Sequence, residues 1–127
     1  MHQENEEPHQ QFYQYLLQYM LRPIEALESY LADRYCGWAN EQSMFMKLVE
    51  EIGEVAEVLN KKVGRKANDE ENINEHLGIE LADMIHYILA IAALNNLDME
   101  RIILEKDKKA SVKYHHDINL EQFLQKR

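Results

Sequence analysis

The stretch from Leu77 to Leu94 constrains this chain most: it is almost wholly apolar, and its only formal charges are Glu80 and Asp83. A buried carboxylate without a partner costs on the order of several kcal/mol, a large part of a whole domain's margin. The two acids are spaced i, i+3, so on a helix both point to one side. A second pair with the same spacing, Glu51 and Glu54, lies in Lys47-Leu48-Val49-Glu50-Glu51-Ile52-Gly53-Glu54. The apolar helix carries no Lys or Arg near its acids, so a cation from elsewhere should meet these four groups. A hard divalent metal, bound by oxygen, is the natural candidate.

The surrounding pattern is helical throughout. From Gln11 to Tyr35 apolar residues recur at helical spacing, and Pro23 breaks this segment or opens a new helix. Cys36-Gly37-Trp38 reads as a connection. A second helix is predicted from Asn40 or Ser43 to Lys62, with Leu48, Ile52, Val55 and Leu59 as its core stripe, Phe45 beside them, and Glu51 at the stripe's edge. A basic loop, Val63 to Asp69, follows. The third helix, Ile73 to Asn95, is apolar nearly all round beyond Asp83 and is expected to be central and buried. Asp98 is a good N-cap for a fourth helix, Met99 to Lys113, and Asn119 for a short last one ending near Gln125. The expected fold is therefore all-α, a bundle of four to five helices. Residues 1–10 form a flexible tail and 11–127 a single domain.

With 127 residues the chain is long enough for one real core, and scarce Gly and Pro favour helices. A net charge of −9 argues against nonspecific binding to a nucleic acid polymer or an anionic membrane, though not against a phosphorylated small molecule screened by metal. Cys36 is the sole cysteine, so no intrachain disulfide forms and a reducing, cytoplasmic setting is expected. The polar N-terminus lacks the apolar core of a signal peptide. The uncharged run Met84–Leu94 is too short to span a bilayer.

Glu51-x-x-Glu54, then Glu80-x-x-Asp83 after a gap of 25 residues, resembles the signature of the MazG-like all-α nucleoside triphosphate pyrophosphohydrolases. So does the wording Leu48-Val49-Glu50-Glu51-Ile52-Gly53-Glu54-Val55-Ala56-Glu57. Lys106-x-x-Lys109 followed by Lys113-Tyr114 resembles the family's basic stretch. The likeness covers roughly Trp38 to Tyr114. It implies Mg²⁺-dependent hydrolysis (Mn²⁺ being a substitute) of an NTP or dNTP to the monophosphate and pyrophosphate. Glu51, Glu54, Glu80 and Asp83 would be ligands and catalytic groups, in a homodimer or homotetramer. Ala110 and Lys113 replace a family asparagine and arginine, which bears on substrate more than on reaction type.

Lys106 and Lys109, or Lys61 with its basic neighbours, are candidates to hold phosphates by charge-assisted hydrogen bonds. Trp38 is a candidate to stack on a base, and Tyr87, one turn beyond Asp83, to line the pocket. The bland alternatives are solvated basic helix ends and core aromatics. Asp83-x-x-His86 also invites a di-iron carboxylate oxidoreductase, although such bundles place the histidine motif on two helices. A non-catalytic helical interaction module is the third reading.

Overall fold

The computed structural model describes residues 8–12, 23–64 and 72–126. All regular structure among them is helical. Residues 8–12 form a short helical stretch, followed by α1 (Pro23–Tyr35), α2 (Glu41–Lys62), α3 (Ile73–Leu94), α4 (Met99–Lys113) and α5 (Leu120–Gln125). Most of the expected tail and basic loop, including Arg65 and Lys66, lies outside the described residues. The described residues group into two compact units, one of residues 27–97 and the other of those before and after them.

Side chains that satisfy the orphan N–H groups of a first turn set where the helices begin. Asn40 accepts from the Ser43 amide at 2.8 Å, Asn72 from Glu75 at 3.0 Å and Asp98 from Arg101 at 3.2 Å. Asn119 and Gln122 form a reciprocal capping box. At the other ends, left-handed residues close the carbonyls. Gly64 (φ 78°) donates to Lys61, while Asn96 (φ 54°) lets the Leu97 amide reach Ala92 at 3.0 Å. His115 does the same for α4 at φ 57°, with His116 bonded to Ser111.

In the unit of residues 27–97, α2 and α3 form an antiparallel hairpin, tied at one end by Asn95 donating to Glu41 at 2.7 Å. Among the buried and half-buried positions, one row on α2 runs Met44, Leu48, Glu51, Val55 and Val58, and one on α3 runs Ile73, Leu77, Glu80, Met84, Tyr87, Ile91 and Leu94. Both rows alternate steps of three and four, the spacing of a coiled-coil seam. The expected core stripe is thereby corrected. Leu48 and Val55 belong to it, but Phe45, Ile52 and Leu59 are 54%, 47% and 46% exposed, and Glu51 sits within the seam rather than at its edge. The reason is that α2 carries two neighbouring apolar rows, and packing against α3 uses the one containing Met44 and Val58.

The central position expected for α3 holds only in part. Leu89, Ala90, Ala92 and Ala93 are buried, whereas Ile79, Leu81, Ile85 and Ile88 are 41–55% exposed. By length and composition alone, the 22 residues of α3 would also suffice to cross a membrane. In the other unit, α4 packs on α5. The Asp107 carboxylate accepts from the Leu120 amide, and Lys108 pairs with Glu121 at 3.3 Å.

The seam is tested by the same substitution at two positions within one turn of α2, on opposite sides of the helix. Met44→Ala empties a buried position and should cost about 2–5 kcal/mol in denaturant unfolding. Met46→Ala, at a position 59% exposed, should cost less than about 0.5 kcal/mol.

Candidate metal centre

Glu51 from α2 meets Glu80 and Asp83 from α3, with one carboxylate oxygen of each within 4.8 Å of the others. The antiparallel register produces this meeting. With Glu41 tied to Asn95, α2 and α3 run in opposite directions, and Glu51 shares a hydrogen bond with Glu80. Glu54 is exposed and stands outside the cluster of three, although its charge still reaches Glu51.

The electrostatics are those of a site waiting for positive charge. The Glu51 carboxyl is raised from 4.5 to about 7, first by sharing a hydrogen bond with Glu80. Burial adds to this, and so does repulsion from Glu80, Asp83 and Glu54. A proton thus does here what a cation would do better. Three converging carboxylate oxygens, all hard donors, fit a divalent ion of the Mg²⁺ class. Among the described residues no histidine or cysteine belongs to the cluster, and His86 instead places Nε2 at 2.7 Å from the Tyr35 hydroxyl.

One neighbour was not anticipated from the sequence. His76 places Nε2 at 3.2 Å from Glu80 Oε1, orienting a carboxylate of the cluster as outer partners of metal ligands do. Its i, i+4 spacing to Glu80 on α3 was the available signal.

The other candidates fall in separate places. Tyr87 is half-buried in the seam. Its phenol is raised by burial first, then by Tyr35 and by the charge of Glu51. Trp38 is 68% exposed, so it is not core filler within this chain, and its indole N–H donates to the Arg34 carbonyl at 2.8 Å. Lys61 lies half-buried in the last turn of α2. Lys106 and Lys109 are exposed, one turn apart on α4, in the unit that does not contain the carboxylates.

The family model for the MazG nucleotide pyrophosphohydrolase domain matches residues 39–116, more than half of the chain. No curated protein and no solved structure matches.

Glu51 links the cluster to pH. Its folded pKa lies above its ordinary value, so between those values the folded protein holds a proton that the unfolded chain has lost. Metal-free stability should therefore fall as pH rises from about 4.5 to about 7. Glu51→Gln should remove that slope and raise the metal-free melting temperature near pH 8 by a few degrees. Thermal melts of both proteins across this range, in EDTA, check it. A wild-type slope retained by the variant would place the proton elsewhere.

Proposed function

The chain belongs to the MazG nucleotide pyrophosphohydrolase family, and we propose that it is a Mg²⁺-dependent enzyme that cleaves a nucleoside triphosphate, NTP or dNTP, to the monophosphate and pyrophosphate. Its role would be clearance of unwanted nucleotides from the pool. The observation that carries this reading is the cluster of Glu51, Glu80 and Asp83, three carboxylates converging in a helical hairpin.

Glu51, Glu80 and Asp83 would hold the ion, with Glu54 adding negative charge at the same edge of α2. When bound, Mg²⁺ supplies charge neutralisation for the phosphates and makes a bound water more acidic. To act as a ligand Glu51 would give up the proton that it otherwise keeps to about pH 7. A carboxylate of the set then accepts the proton of the attacking water. The water oxygen bonds to phosphorus, the bond to the bridging oxygen breaks, and pyrophosphate leaves. Such a transfer needs position and charge more than a special nucleophile. Lys106 and Lys109, or Lys61, would bind phosphate oxygens; Trp38 and Tyr87 would receive the nucleoside.

A homodimer or homotetramer belongs to the same proposal. Phe45, Val49, Ile52 and Leu59 on α2, with Leu81, Ile85 and Ile88 on α3, form exposed apolar rows beside the seam. An apolar surface of this kind marks an interface, and a second hairpin of the same sequence matches it in length and spacing. Covering these rows between subunits also accounts for the hydropathy of α3 without a membrane. The exposed free Cys36 fits a reducing cytoplasm.

Two outcomes are expected. Pyrophosphate should appear from one or a few members of an NTP and dNTP panel with Mg²⁺ and not with EDTA. Glu51→Gln and Asp83→Asn should each lower kcat/KM by about a hundredfold or more while the helical circular dichroism persists. Full turnover by Asp83→Asn would remove the metal-centre reading. Light scattering of the eluting protein should give a dimer or larger, and Ile52→Glu with Ile85→Glu should give a monomer. A wild-type monomer would count against the subunit interface.

A further inference from the structure

From Met84 to Leu94 the only polar side chains are His86 and Tyr87, side by side on an otherwise apolar half-helix. They continue a run of rings within residues 27–97. Trp38 and Tyr35 have centroids 5.3 Å apart, Tyr35 meets His86 edge-on at 5.8 Å, and His86 meets Tyr87 at 5.0 Å. Tyr35, at the end of α1, is 7% exposed, and its hydroxyl lies 2.7 Å from His86 Nε2. Packing alone does not call for this pair, since two apolar side chains would fill the space without two polar groups to desolvate. The bond joins α1 to α3 across 51 residues of sequence and sets the rotation of the imidazole. Among the described residues Nδ1 of His86 has no protein hydrogen bond.

The position of the pair along α3 gives it a use. His86 and Tyr87 stand about 4.5 and 6 Å along the helix axis from Asp83. A nucleotide lying along α3 toward its C-terminal end, with its phosphates at the carboxylates, would bring its sugar and base to that level. The exposed face of Trp38, held by its bond to Arg34, closes the run of rings at the far end.

Resting on the nucleotide reading above, we propose that Tyr35 and His86 form a positioning pair that selects the nucleobase. The Tyr35 phenol donates to Nε2, which leaves the ring proton on Nδ1, and Nδ1–H donates to a carbonyl oxygen of the base. Bases with a ring carbonyl are favoured, and adenine, which has none, is disfavoured. A site built around one such hydrogen bond rejects a ligand lacking it.

The test uses the full-length protein with Mg²⁺. It measures kcat/KM over a nucleotide panel and equilibrium binding of the matching α,β-imido analogues, which need no turnover. The wild type should favour carbonyl bases over adenine by about tenfold or more, corresponding to one hydrogen bond. Tyr35→Phe, which keeps the ring and loses the hydroxyl, should flatten that ranking and raise KM, with Mg²⁺ affinity unchanged. His86→Asn, whose amide nitrogen occupies the place of Nδ1, should retain more of the ranking than His86→Gln, whose amide lies at Nε2. Folded Tyr35→Phe and His86→Gln proteins that keep the wild-type ranking would overturn the proposal, as would a wild type indifferent to the base. Analogue binding with the expected ranking but no hydrolysis would uphold the pair and instead remove the pyrophosphohydrolase reading.

Discussion

Mutual repulsion among three carboxylates in the seam of a helical hairpin is the constraint on which the rest of this structure depends. Seam positions are where a pair of helices gains its stability, by excluding water from apolar side chains. Here Glu51 and Glu80 take two of those positions, and Asp83 flanks them. The fold gives up packing there and gains a concentration of negative charge, partly relieved by a proton on Glu51 and by His76 beside Glu80. Stability and function pull against each other at this point, as they do where a site is assembled for a ligand still to come.

The site has a direction because the hairpin is antiparallel. Carboxylates face one another at residues 51, 80 and 83. Moving toward the end of α3, His86 and Tyr87 come next, and the run of rings continues from His86 to Tyr35 and Trp38. Acidic groups thus give way to aromatic rings along the hairpin. The same hairpin carries exposed apolar residues, Phe45, Val49, Ile52, Ile85 and Ile88, so one supersecondary unit holds both the acidic cluster and an apolar surface.

Much of this was legible from the residues. The limits of α2, α3, α4 and α5 follow from Asn40, Asn72, Asp98 and Asn119, because a capping side chain acts within three residues and needs nothing distant. The acidic pairs stood out because carboxylates are conspicuous on an apolar helix. The stripe read on α2 mixed two rows, taking Leu48 and Val55 from the seam and Ile52 and Leu59 from the row beside it, since Phe45-Ile52-Leu59 and Met44-Leu48-Val55-Val58 are equally apolar and a lone helix cannot choose between them. The Tyr35–His86 bond spans 51 residues and has no local signal at all.

The sequence by itself therefore determined the helices, their ends, the acidic chemistry and the family, all of which depend on the identity of residues at short spacing. Tertiary structure alone decided which apolar row becomes the seam, that Glu51 rather than Glu54 closes on Glu80 and Asp83, and that His86 serves Tyr35 instead of a metal. Those outcomes depend on the rotation and register of one helix against another. Rotation and register are set by the sum of many weak side-chain contacts across the interface, a quantity that no single stretch of sequence contains.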